Sequence, residues 1–435
     1  MHRDDRSTGT PEAETTPFLG DASEMADNDR SEVDRREFLQ AGTVAAASAA
    51  ALAAGSTGLA QDPKAARSVL PRRKLGKTGV DVTMLNVGTG AWQSLGNAAP
   101  LLLRTAYAGG IRYLDTANAY GTEPAIAKFL AAVPEAKKDT FIVTKDTPRT
   151  PKQMIPMLDK RLETLQLDSV DMFFFHGMGD HHSTDECLAM IKGQEFKETA
   201  DAIRKSGKAR FIGFSVHHKD LALMIEAAAE AGVVDAIMVK YNAFAAKDHP
   251  AYKALDAAHA KGIGLISMKQ LAGSETLLSD MAKKLPSLQV KGLAPYQMLL
   301  HAIWTDERIS SCCVSMKNVD QITENVKAAR TFEPLKQAEL DLIHELYLAS
   351  GPTLCALCDG RCSEAGGTGA ALGDLTRFLT YHEHHGQRAE ARRLYAEMPD
   401  SARDWSDADL AAAQAACPSH LNFAELLPKA DRYLA

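Results

Sequence analysis

Hydrophobic and polar positions follow two rhythms along this chain. Apolar runs rich in β-branched and aromatic residues recur at Met84–Gly90, Ile111–Leu114, Thr140–Thr144, Ser169–Phe175, Ala209–Phe214, Ala236–Tyr241, Gly264–Met268 and Ser311–Val314. Each reads as a buried strand. Between them lie stretches whose apolar residues return at helical spacing, among them Met154–Leu165, Phe196–Ser206, Leu221–Ala231, Tyr252–Lys261 and Val319–Ala329. Strand and helix in alternation, repeated over about 250 residues, predict a (β/α)8 barrel. A doubly wound sheet would place a third glycine after its first strand, and Gly88-Thr89-Gly90-Ala91-Trp92-Gln93 lacks it. Ahead of the barrel, Gly76 and Gly79 are spaced as in a hairpin turn.

Several strands close on groups able to move a proton. The run Tyr113-Leu114-Asp115 ends in an acid with Tyr120 five residues on; Phe141–Thr144 is followed by Lys145, and Met172–Phe175 by His176. Taken singly, an Asp after a strand caps a helix, a Lys is a solvated surface group, and a Tyr beside Gly121 sits in a turn. Taken together they read differently, because all parallel strands of a barrel deliver their C-terminal ends to one mouth.

The chain has 435 residues, of which 45% are hydrophobic, so a large buried core is available. A formal net charge of −7 gives no basic field for nucleic acid, and no nucleic-acid-reading motif is present. A small-molecule partner is expected.

The set of motifs resembles the aldo-keto reductase family from about Arg73 to Ala329. It comprises Tyr113–Ala117 with Tyr120-Gly121 and Glu123, Thr144-Lys145, Asp171 with His176, Gly207–Ser215, Tyr241-Asn242, and Asn318 with Gln321, Glu324 and Asn325. The resemblance implies hydride exchange between NADP, or NAD, and a carbonyl or alcohol substrate. Tyr120 becomes the general acid, Lys145 the ammonium that lowers its pKa, Asp115 the partner of that lysine, and His176 the group that orients the carbonyl. For the cofactor it implies Gly88 and Thr89 after strand one, Ser215 at the nicotinamide amide, and Tyr241 as stacking face. Met268, Lys269, Leu271 and Gly273 fall near the pyrophosphate, Lys317 and Asn318 near the ribose, and Glu324 and Asn325 near the adenine, with Gln321 a further cofactor-binding residue. Lys317 favours a 2′-phosphate and hence NADP. Val216 and Met238 replace the Asn and Gln usual in the family, which leaves room for a barrel that binds nucleotide with little turnover. Trp92 reads equally as a pocket wall or as core.

Outside residues 72–331 three segments carry other signals. Residues 1–32 are polar and aperiodic, as expected of a disordered leader. Residues 33–60 hold Asp34-Arg35-Arg36 ahead of a weakly hydrophobic, Ala-rich run, the pattern of a twin-arginine export signal with a small-residue cleavage site. This predicts a periplasmic protein, or a cytoplasmic one if the signal is unused, with no stable membrane span after cleavage. Residues 332–435 predict a helical extension with Cys355, Cys358 and Cys362, and a distant Cys417-Pro418. That spacing resembles a ferredoxin-type set, and the C-terminal extension of an aldo-keto reductase subgroup. It implies one [4Fe-4S] cluster and an electron-transfer partner; zinc, disulfides or a vestigial motif are the alternatives. The insert Leu375–Pro399 reads as helical, His181 and His182 as members of a solvated loop, and Cys187, Cys312 and Cys313 as core thiols.

Overall fold

The computed structural model describes residues 70–216, 218, 220–241, 243, 250–270, 293–349, 355, 360–384, 388–417 and 419–435. Leu271, Gly273, Cys358 and the whole leader and signal region lie outside the described residues.

Two short strands, β1 (Arg72–Lys74) and β2 (Asp81–Thr83), pair antiparallel with Arg73 opposite Val82. Eight parallel strands follow: β3 (Leu85–Gly88), β4 (Tyr113–Asp115), β5 (Phe141–Asp146), β6 (Val170–Phe175), β7 (Ala209–Val216), β8 (Ala236–Lys240), β9 (Gly264–Met268) and β10 (Ile309–Val314). They form a closed barrel in chain order, β10 pairing with β3 through Cys312 opposite Leu85. The expected fold class is therefore the observed one.

Between the barrel strands, and after the last, lie α1 (Ala99–Ala108), α2 (Glu123–Ala132), α3 (Ala136–Asp139), α4 (Met154–Leu165), α5 (Thr184–Lys192), α6 (Gln194–Ser206), α7 (Leu221–Ala231), α8 (Pro250–Ala260), α9 (Pro295–Thr305), α10 (Val319–Arg330) and α11 (Gln337–Ala349). None of the described helices is long and apolar enough to cross a membrane.

Because side chains alternate along a strand, each barrel strand feeds two cores. The inward set includes Tyr113, Phe141, Val143, Met172, Phe174, Ala236, Met238 and Ile266. Leu75 and Val82 join it, so the β1–β2 hairpin closes one end of the barrel interior. Close approach there requires glycine. Gly76 has φ +51, and a Cβ on it would stand 2.2 Å from the Gly262 carbonyl oxygen. Arg73 fastens the hairpin from outside by donating to the carbonyls of Trp304, Asp306 and Ile309. The outward set packs against the helices in the main core, where Trp92 is buried.

The C-terminal region is helical: α12 (Arg361–Ala365), α13 (Leu372–His384), α14 (Arg388–Glu397), α15 (Asp400–Arg403), α16 (Leu410–Ala416) and α17 (Phe423–Leu434). The insert expected to be helical over Leu375–Pro399 falls on α13 and α14. These helices have their own core around Leu375, Leu379, Phe423 and Leu427, which also takes in Cys362 and Cys417. Asp431 ties it together, accepting from Tyr395 Oη at 2.8 Å and from Trp405 Nε1 at 3.0 Å.

Candidate active site

Strand ends bring the four proton-handling residues to one rim. Asp115 ends β4, Lys145 is the penultimate residue of β5, His176 follows β6, and Tyr120 closes a single 3-10 turn (Asn118–Tyr120) after β4. That turn stops because Gly121 takes φ +63, a left-handed conformation that costs glycine little.

Lys145 is wholly buried, which is expensive for an ammonium unless it is paired. Its Nζ donates to Asp115 Oδ1 at 2.6 Å and to the Thr116 carbonyl at 2.8 Å. Burial alone depresses its pKa; the Asp115 carboxylate and Tyr120 outweigh that and hold it above the ordinary lysine value. The ammonium stands 5.2 Å from the centroid of the Tyr120 ring. Tyr120 Oη lies 3.4 Å from His176 Nε2, with the two rings nearly perpendicular at 88°. Tyr120 is half-buried.

The expected lowering of the Tyr120 pKa does not emerge. Burial raises it, Lys145 lowers it and Asp115 raises it again, and the phenol ends above its ordinary value. A favourable charge is partly neutralised by the carboxylate that holds it in place. The phenol is consequently protonated at neutral pH.

Cys313 belongs to this constellation although sequence reasoning placed it in the core. Cys312, its neighbour on β10, is buried among the helices, but Cys313 alternates inward and is half-buried. Its thiol lies against the Asp115 carboxylate and within electrostatic reach of Lys145. Sγ also fills the space above Gly88, 2.7 Å from where a Cβ there would stand. The period-2 alternation of an inward Ser or Cys beside strand one was the signal available.

The other expected site residues are distributed as follows. Thr89 sits beside the rim, its backbone N–H and Oγ1 both donating to the Asp115 carbonyl at 3.0 Å. Ser215 is the penultimate residue of β7 and fixes the turn after His176: its Oγ accepts from Gly177 N at 2.9 Å and its carbonyl from Met178 N at 2.8 Å. Tyr241 follows β8 with its ring buried in the main core and its hydroxyl donating to Asp306 Oδ2 at 2.7 Å. Met268 ends β9 and Lys269 follows it, exposed and with φ +52. Asn318 caps α10 by accepting from Gln321 N, while Gln321 Oε1 accepts from Lys317 N at 2.7 Å. Glu324 and Asn325 lie on α10 itself. In the C-terminal region, Cys355, Cys362 and Cys417 pack into one small core. No cluster of three or more metal-ligating side chains occurs among the described residues.

Comparison with known proteins agrees with this architecture. L-galactose dehydrogenase of Arabidopsis thaliana is 27% identical over 294 residues, spanning 60% of this chain and 89% of its own. Aldo-keto reductase family 1 member A1 of Mus musculus is 25% identical, spanning 60% and 86%. L-glyceraldehyde 3-phosphate reductase of Escherichia coli O157:H7 is 23% identical, spanning 62% and 91%. Among solved structures, the holo form of an aldo-keto reductase from Bacillus halodurans superposes with a TM-score of 0.53 at 19% identity, covering 64% of this chain and 96% of that one, which speaks to the fold alone. The sequence model of the aldo/keto reductase family matches residues 85–348, from the first barrel strand to α11. With that match over a barrel built in this way, the chain belongs to the aldo/keto reductase family, whose members are NAD(P)-dependent oxidoreductases.

Proposed function

We propose that the protein interconverts a carbonyl compound and its alcohol, with Tyr120 as the residue that exchanges the proton. The observation that carries this reading is the buried Asp115–Lys145 pair beside the half-buried Tyr120 phenol, which also meets His176. When bound, NADP(H) supplies or takes up the hydride. Negative charge then develops on the carbonyl oxygen, and the Tyr120 O–H is placed to neutralise it by giving up its proton. Lys145 steadies the phenolate left behind, and Asp115 keeps that lysine protonated and aimed. His176 Nε2, beside Tyr120 Oη, offers a second contact to the same oxygen.

The donor set suits an anionic dinucleotide. Lys269 after β9, Lys317 after β10 and the start of α10 supply positive charge and backbone N–H groups. Lys317 remains the reason to prefer NADP to NAD. Two relatives are named for a galactose and a glyceraldehyde phosphate, so small polyhydroxylated carbonyl compounds are the first substrates to try. The test is fluorescence titration with NADPH and NADH, followed by turnover of glyceraldehyde with NADPH and of L-galactose with NADP. NADPH binding with turnover is expected; nucleotide binding without any turnover would favour the binding barrel.

A thiolate metal site in the C-terminal region is a second reading, which one observation favours. Cys417 is buried in the same small core as Cys362 and Cys355 and lies within electrostatic reach of Cys355, and burial pushes its thiol pKa up. A bound metal would supply the positive charge that a buried thiolate needs. Cys355, Cys362 and Cys417, with Cys358, would supply the ligands of a [4Fe-4S] cluster or zinc. Anaerobically purified protein should then contain iron and absorb in the visible, or contain zinc, and Cys417→Ser should lose the metal. Protein holding neither metal would refute it. Export through the twin-arginine route is proposed on the leader sequence alone; its test is whether Arg35→Lys with Arg36→Lys retains the chain in the cytoplasm.

A further inference from the structure

The loop that carries Tyr120 is held from behind by a buried arginine that neither the chemistry above nor the sequence motifs use. Arg161 lies on α4 with its side chain 11% exposed, unusually low for an unpartnered guanidinium and explained here by its partners. One nitrogen, Nη1, donates to Asn118 Oδ1 and to Glu123 Oε2, the latter at 3.0 Å. Nε lies 3.4 Å from Asp146 Oδ2. Asn118 and Glu123 flank Tyr120 on either side in the chain, so a single guanidinium grips both ends of the segment that presents the phenol.

Each of those ends is also tied to β5. Asn118 Nδ2 donates to Asp146 Oδ1 at 3.1 Å, and Thr144 Oγ1 donates to Glu123 Oε1 at 2.6 Å. Thr122 closes the inside of the loop, 2.9 Å from Thr116 Oγ1 and 2.7 Å from Thr89 Oγ1. Asn118 is itself exposed, so without these bonds nothing but solvent would restrain its side chain.

We propose that Arg161 is a positioning residue of the active site, acting through Asn118 and Glu123 to fix Tyr120 over Lys145 and beside His176. This rests on Tyr120 being the proton donor. The physical basis is that proton transfer tolerates little displacement, and an error of about 1 Å in a reacting group costs about 10²-fold in rate.

The test uses the full chain with NADPH and glyceraldehyde, and compares Arg161→Gln, Asn118→Ala, the double variant and Tyr120→Phe. Arg161→Gln and Asn118→Ala are each expected to lower kcat about 10- to 100-fold while NADPH affinity changes less than about threefold. The double variant is expected to be no worse than the poorer single variant, because both remove one device. Hydrogen exchange of the amides in 116–122 is expected to quicken in both, a readout that needs no turnover. Unchanged kcat with unchanged exchange, or fully additive losses, would overturn the proposal. If Arg161→Gln does not fold, Asn118→Ala decides alone, since it releases the loop and leaves the Arg161–Glu123–Asp146 contacts in place. Failure of the underlying reading looks different: Tyr120→Phe would then keep full turnover whatever Arg161 does.

Discussion

Tyr120→Phe is expected to lower kcat for carbonyl reduction by about 10²–10⁴-fold, the usual contribution of a positioned general acid, while NADPH binds as before. The substitution removes one oxygen and keeps the ring that lies near both Lys145 and His176, so packing is preserved. Steady-state kinetics with a parallel nucleotide titration separate the two effects. The same hydroxyl fixes the pH dependence. Reduction needs the protonated phenol, so its rate is retained at low and neutral pH and lost as pH rises through the phenol pKa. Burial holds that pKa above the ordinary value of about 10, placing the fall on the alkaline side of it. Oxidation of the alcohol needs the phenolate and should rise over the same range. A reduction profile already falling near neutrality would show that some other group is the acid.

Lys145→Met should damage stability as well as chemistry. Asp115 is 2% exposed, and its ion pair with Lys145 spans 2.6 Å. Removing the lysine leaves a buried carboxylate without its cation, a loss of about 3–5 kcal/mol. For a barrel of this size that corresponds to roughly 6–15 °C in Tm. Turnover should fall with it, because the phenolate loses its nearest positive charge. Adding Asp115→Asn is expected to restore part of the Tm and none of the activity, which calorimetry and kinetics would show together. A single Lys145→Met variant with unchanged Tm would mean that the carboxylate is already neutral in the folded protein.

Much of this was legible from the pattern of apolar runs. The barrel strands fall where those runs fall, and Asp115, Lys145 and His176 lie at strand ends because a run of buried residues stops where the chain reaches the mouth. What escaped was whatever depends on contacts between distant segments. Arg161 has the look of an ordinary polar position on α4, and its partners Asn118 and Glu123 lie 43 and 38 residues away. Cys313 shares a run with Cys312, and only its inward turn places it against Asp115. The balance of charges at Tyr120 was equally hidden, since burial cannot be read from residue types. Asn318 illustrates the converse: a residue marked by family spacing also serves as the cap of its own helix.

The alternation of β5 couples matters that are usually free to vary apart. Lys145 points into the barrel, whereas Thr144 and Asp146 on either side of it bond Glu123 and Asn118. A shift of this strand by one residue would expel the ammonium from the interior and bring a threonine or an aspartate in. It would also strip the Tyr120 loop of its anchors. Drift in substrate preference can therefore proceed through the loops at the rim, while the length of the α3–β5 connection is under a much narrower constraint. A one-residue insertion there would be silent in composition and ruinous in function.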